Sequence, residues 1–157
     1  MSFSTNGQSL ADLNRLGQVY TAANVSAKSV IAVTTAMTGV ILYNPPGSRK
    51  NLLIVDMGFV WTTVPGAVHN IGFATAAPNL TAPSSVTAIG SGVKLANGSG
   101  NAGNSVTLAY DAATLPVAPV ACRWFGGAAW GTSVGVSPYS ILDETDGAIM
   151  LVPGAVG

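Results

Sequence analysis

Three stretches of the chain have the residue types and spacing of known chemistry. Gly131-Thr132-Ser133-Val134-Gly135 has the G-x-S-x-G spacing of a nucleophile elbow, in which a strained strand-to-helix turn exposes the serine and an acid and a histidine arrive later in the chain. No helical pattern follows here, and the only histidine, His69, precedes the serine. The segment reads as a Gly/Ser-rich β-turn; a hydrolase would require His69 and Ser133 to meet. Gly98-Ser99-Gly100-Asn101-Ala102-Gly103 has the G-x-G-x-x-G spacing of a dinucleotide loop, whose glycines hold a pyrophosphate against a helix N-terminus. A strand pattern follows it instead of a helix, so it reads as a flexible loop. Asp143-Glu144-Thr145-Asp146-Gly147 gathers three carboxylates, but their spacing misses the ligand pattern of a calcium loop. It reads as a solvated turn before the last strand, or as an intermolecular contact.

Other side chains offer less. One His and one Cys cannot build a usual zinc ligand set. Cys122, in Ala121-Cys122-Arg123-Trp124, reads as a buried small hydrophobe. Trp124 and Trp130 flank a glycine-rich bend and could form a sugar-stacking platform or an interface anchor, with core packing as the plainer reading of Trp124. Asn24, Asn79 and Asn97 head glycosylation sequons that would matter only in a secreted eukaryotic protein. No catalytic residue, metal ligand or cofactor-binding residue is assigned.

The elements that carry these residues follow from composition. The chain has 157 residues, six of them Lys or Arg and six Asp or Glu, so charged residues make up 8% where about a quarter is usual. With zero net charge and no basic cluster beyond Arg49-Lys50, it lacks the footprint of a nucleic-acid binder. Such a sparsely charged surface predicts association. A single cysteine excludes a disulfide framework. The first residues have neither a basic nor an apolar signal region, and the apolar run 30–43 is too short and too interrupted to span a bilayer. These features predict a soluble product made in a cytoplasm, with no membrane partner.

Val, Ile and Thr far outnumber Leu, and 19 Gly and 9 Pro punctuate the whole length. β-branched side chains fit a pleated surface, so the body reads as all-β. Strands are expected at 29–37, 39–44, 52–61, 68–74, 86–95, 105–110, 117–125, 134–136 and 148–152. The clearest is 52–61, where Leu53, Val55, Met57, Phe59 and Trp61 share one face and Asp56 and Gly58 the other. Short strands separated by turns, without intervening helices, indicate an antiparallel two-sheet sandwich or jelly roll. One short helix is expected near the start: Ser9 can cap it, Asp12 sits three residues on, Leu10, Leu13 and Leu16 recur at helical spacing, and Gly17 offers a stop. Residues 1–26 read as an arm that needs something to lie on, with a self-docked or frayed terminus as the alternative, and 27–157 as the β-domain.

Three segments, taken together, resemble a known class. Val40-Ile41-Leu42-Tyr43-Asn44-Pro45-Pro46-Gly47-Ser48-Arg49-Lys50-Asn51-Leu52-Leu53-Ile54, then Ala113-Thr114-Leu115-Pro116-Val117-Ala118-Pro119, then Asp146-Gly147-Ala148-Ile149-Met150-Leu151-Val152-Pro153-Gly154, are similar to small jelly-roll virion structural proteins of tailed bacteriophages, of the capsid decoration (cement) type. The resemblance spans roughly residues 40–154 and rests on structural turns. It implies a non-enzymatic homotrimer on the outer capsid surface, bound to the major capsid protein, with the arm reaching over neighbouring subunits. It implies no cofactor, nucleic-acid or small-molecule partner, and it carries over no functional side chain. Similar proteins often continue with another strand after the turn that here is Pro153-Gly154.

The partner contacts expected on this reading are Leu10, Leu13, Leu16 and Tyr20 in the arm, Arg49 and Lys50 in the proline turn, Trp130, and Asp143, Glu144 and Asp146. The alternative is a tail, fibre or receptor-binding sandwich that takes carbohydrate through Trp130 and the 98–104 loop. Charge is also uneven along the chain. Apart from His69, none lies between Asp56 and Lys94, and none from Trp124 to Leu142. The β-body is therefore expected to be covered by partners, with the charged ends setting register.

Overall fold

The computed structural model describes residues 4–5, 7–28, 32–60, 69–89, 96–97, 106–128 and 140–157. The elements are β1 (Ser4–Thr5), β2 (Gln8–Ser9), α1 (Leu10–Arg15), β3 (Tyr20–Thr21), β4 (Ala36–Tyr43), β5 (Leu52–Val60), β6 (His69–Thr75), β7 (Ser84–Ala88), β8 (Ala96–Asn97), β9 (Leu108–Thr114), β10 (Val120–Ala128) and β11 (Ser140–Leu151). All the strand pairs are antiparallel. The protein is an all-β, sandwich-like domain with a short helix near its N-terminus.

α1 forms where the sequence places it. Ser9 caps it by accepting from the Asp12 amide at 3.2 Å, and the Asp12 carboxylate accepts from the Ser9 amide in return, which completes a capping box. Gly17, at φ 66°, follows its end, where the left-handed region closes a helix. No residue of the helix is buried.

The central sheet is β4–β9–β7, with β9 in the middle. Sequence pattern placed this strand at 105–110; the pairing begins at Leu108 and runs to Thr114. Ala109, Tyr110, Asp111 and Ala113 are all buried, so β9 is covered on both faces and packing overrides the weak strand preference of its alanines. The expected separate strands 29–37 and 39–44 are one strand from Ala36 onward, and residues 29–31 lie outside the described set. Thr38 pairs with Ala112 and Ile41 with Tyr110, so one extra residue is absorbed at Gly39. Its φ of 120° suits a bulge where a break was expected.

Residues 154–157 lie between β4 and β6. Val156 bridges Tyr43 on one side and Ala76 on the other. Leu42 and Gly157 exchange backbone hydrogen bonds at 2.6 and 2.9 Å, and the Ala76 amide donates to Val156 O at 2.9 Å. The sheet thus continues from β4 through this segment to β6 and its partner β10. This layer packs a core of Ile41, Tyr43, Ala76, Tyr110, Ala113, Leu115 and Val156. A second core, centred on Ile54, Leu151 and Ala155 with Leu42, Met57 and Phe73 against it, joins this layer to the β5–β11 ribbon. Asn44 pins the junction by donating from Nδ2 to Lys50 O at 2.8 Å and to Leu151 O at 2.9 Å.

β5 keeps the expected alternation in its second half, where Met57 and Phe59 are half-buried and Asp56, Gly58 and Val60 exposed. In its first half Ile54, on the opposite parity, is the most buried residue, packed in the second core with Leu151 and Leu42. Trp61 lies outside the described residues. β11 corrects a larger expectation. Asp143 to Gly147 is not a turn before a short strand but the interior of a 12-residue strand. Glu144 pairs with Asp56 and Ile149 with Ile54, so five steps on β11 face two on β5. Asp146 at φ 49° and Gly147 at φ 77° supply the turn-like backbone of this bulge. Thr145 is buried beneath it, its hydroxyl bonded to Ile54 O and 3.0 Å from Val55 O.

Candidate functional site: an arm clasp and two charge patches

The described charges sort into bonded pairs and unpaired patches. The strongest pair holds the arm. Asp111, on central β9, is 4% exposed, and its carboxylate accepts from Asn24 Nδ2 at 2.7 Å and forms an ion pair with Lys28. Burial alone would raise the Asp111 pKa; hydrogen bonds from Lys28 and Asn24, together with the Lys28 charge, outweigh it and hold the carboxyl below its ordinary value. Two residues of the N-terminal segment are thereby fixed to the centre of the sheet. β3 adds a two-residue pairing to β8.

Beyond this clasp the arm covers little. Leu10 and Leu13 are half-buried, and with Tyr20 they line an open cleft of about 1540 Å³ whose other wall includes Met57, Phe73 and Trp124. That volume exceeds the span typical of small-molecule pockets. Leu16 is 55% exposed. Of the four arm residues expected to meet a partner, three thus line this cleft and Leu16 is exposed.

A second pair ties β10 to β11. Arg123 donates from Nη2 to Asp143 Oδ1 at 2.9 Å and from Nε to Oδ2, a two-pronged contact that raises the arginine pKa through those hydrogen bonds. Asp143, expected to contact a partner, is thus engaged within its own chain. The third pair, Arg15 with Asp12 at 3.6 Å, is local to α1. The Ser9 hydroxyl and amide hold the Asp12 pKa below its ordinary value.

Arg49, Lys50, Asp56, Glu144 and Asp146 make no ion pair among the described residues, and all five are exposed. The two basic ones sit together after the single 3-10 turn of Pro46–Ser48, with Arg49 in the left-handed region at φ 56°. Ser48 fixes the turn, its hydroxyl donating to Lys50 O at 3.1 Å. The acidic ones sit on the β5–β11 ribbon, where Asp56 and Glu144 are directly opposed. This opposition was invisible to sequence reading, because it depends on the bulge that sets the β11 register.

Two aromatic and sulfur expectations are corrected. Cys122 is exposed, its thiol 3.4 Å from Phe73 O, because it lies on an edge-sheet strand rather than in a core. Trp124 is 58% exposed, its ring lying across Gly72 on the neighbouring strand. Trp130, Ser133 and the 98–104 loop lie outside the described residues, and of His69 only the strand position is described. Among the described residues, no group of three or more His, Cys, Asp or Glu is placed to hold a metal ion, and no helix is long and apolar enough to cross a membrane. In comparisons with known proteins, the chain matches no family, no curated protein and no solved structure.

Proposed function

We propose that this chain is a non-enzymatic structural protein of a tailed-bacteriophage virion, made in the host cytoplasm, that decorates the outer capsid surface as a homotrimer bound to the major capsid protein. One observation carries the reading: the strands present large apolar side chains to solvent where charge is sparse, among them Val120 at 71%, Leu142 at 70% and Val60 at 56% exposure. Apolar exposure of this kind on a β-body favours burial against partners. The sequence resemblance in the 40–154 region names the assembly, and the weakly packed helix of the arm suits a segment completed by a neighbour. Decoration then works by surface burial: each subunit covers contacts between capsomers and raises the cost of separating them.

The test is a heat challenge of purified particles with and without the protein, read by release of packaged DNA. Particles lacking it are expected to open at a lower temperature, and equal release curves would overturn the proposal. Exposed Trp124 favours a second reading, a carbohydrate-binding tail or fibre module, since a flat exposed indole is a stacking surface for a sugar. Particle imaging separates the two: many copies over the shell for decoration, a few at the tail for the alternative.

A further inference from the structure

We infer that copies of this chain join head to tail, with the Arg49-Lys50 turn of one subunit seated on the Asp56/Glu144 face of the next. The first support is the charge inventory. Each described charge that has a partner is used inside its own subunit, and the remainder separate by sign into two places: Arg49 and Lys50 after the 3-10 turn, Asp56, Glu144 and Asp146 on the ribbon. Among the described residues no ion pair joins the two patches. Lys50 and Asp56 are six residues apart along the start of an extended strand, about 20 Å, which is well beyond the screening length of about 8 Å at physiological ionic strength.

The second support is the cross-strand opposition. Asp56 and Glu144 occupy paired positions on the exposed face of β5–β11, an arrangement in which like charges repel. A chain with only six acidic residues places two of them against each other. A cation arriving from outside relieves that repulsion, and among the described residues the cations without an ion pair are Arg49 and Lys50. The third support is the setting of the acidic pair. On the same face Gly58 pairs with Leu142, and Val60 stands one pair further on. The surface is therefore acidic at one end and apolar at the other, the mixture expected of a protein contact with a charged rim.

The two patches differ, so the contact is heterologous, the kind that closes into a ring when the rotation per subunit permits. A trimer needs such a contact. The inference rests on the self-association in the function proposed above and not on the capsid partner.

The experiment uses the full chain, with sedimentation velocity across a concentration series at low and high salt. The variants are R49E/K50E, D56K/E144K, and all four changes together. D56K/E144K keeps two like charges opposed, so its melting temperature is expected to stay near that of the parent and to report intact folding. Association is expected to be salt-sensitive in the parent, weakened by about tenfold or more in each double variant, and recovered in the combined variant, where both patches have exchanged sign. A parent that stays monomeric throughout, double variants that associate like the parent, or folded double variants without recovery on combination would each overturn the inference. Binding of the same variants to capsids separates the two proposals. If R49E/K50E occupies particles like the parent and also associates like it, the head-to-tail contact falls and the decoration reading stands. If the parent associates as expected but fails to bind particles, the contact stands and the decoration reading falls.

Discussion

Replacing Lys28 by Met tests whether the arm is held by its clasp alone. Asp111 is nearly inaccessible on the central strand, and its carboxylate has two side-chain partners, Asn24 and Lys28. Removing one partner of a buried pair leaves an uncompensated charge, at a cost of about 3–5 kcal/mol. The Lys28 side chain is 27% exposed and that of Asp111 5%, so solvent screens the pair little. The cost need not be borne by the whole fold, because the groups that bury Asp111 include the arm itself. Undocking residues 20–28 returns the carboxylate to water and caps the penalty at the energy of arm docking. K28M is therefore expected to raise the opening equilibrium of the arm by about two to three and a half orders of magnitude, at tenfold per 1.4 kcal/mol. The amides of β9 and β4 should stay protected.

Hydrogen exchange followed by mass spectrometry reads this peptide by peptide. Unchanged exchange over 20–28, or loss of protection in β9 together with the arm, would refute the clasp. pH gives the same result by another route. The folded Asp111 pKa lies below its unfolded value, so the carboxylate contributes stability above the unfolded value, about 3.9, and that contribution is lost as pH falls through the lower folded value. Protection of the arm amides in the parent, taken relative to the intrinsic exchange rate at each pH, should fall in acid below about pH 4. D111N should abolish that dependence and be milder than K28M, since the lysine left behind can turn to water.

Leu151 is among the largest fully buried side chains and links β11 to residues 154–157; L151A should cost about 2–5 kcal/mol in denaturant unfolding, and a loss under about 1 kcal/mol would mean that this core does not hold the layers together. At Gly72 an added Cβ would meet the Arg123 carbonyl and come within 2.8 Å of the Trp124 ring. G72A should therefore weaken β6–β10 by about 1–3 kcal/mol, visible as faster amide exchange confined to those two strands and as a changed Trp124 emission.

What the sequence disclosed and withheld divides by the range of the interactions. The helix cap is local: Ser9 and Asp12 satisfy each other across three residues, so the pattern and the structure coincide. β5 was legible over the half where one face meets water, and misread at Ile54, which packs in the second core with Leu151 and Leu42. β9 was displaced toward alanines because its burial comes from β4 and β7, which no window along the chain contains. Asp111 was passed over for the same reason: an isolated Asp among alanines looks like a strand end until residue 24, 87 positions away, is seen to bond it. Glycines misled in a consistent way. Gly39 was read as the start of a second strand and Gly147 as part of a turn, and both are positive-φ positions within continuous strands.

The same distinction explains why the acidic segment changed its meaning. In sequence, Asp143, Glu144 and Asp146 form one cluster of like character. In the fold, the period-two alternation of a strand separates neighbours onto opposite faces, so Asp143 reaches Arg123 on β10 while Glu144 turns outward against Asp56. One acid is thereby consumed in holding two strands of the subunit together, and its neighbour is left for something outside. A strand pairing that slipped by one residue would turn Glu144 toward Arg123, place Asp143 on the exposed face and move the apolar side chains of β11 to the wrong side of the ribbon. The bulge at residues 145–148, held by the Thr145 hydroxyl on Ile54 O, fixes that register. Internal cohesion and the capacity for contact between copies thus depend on the same backbone irregularity. Disrupting it by T145V should degrade both at once: a lower melting temperature, and weaker self-association even though every charge remains in the chain.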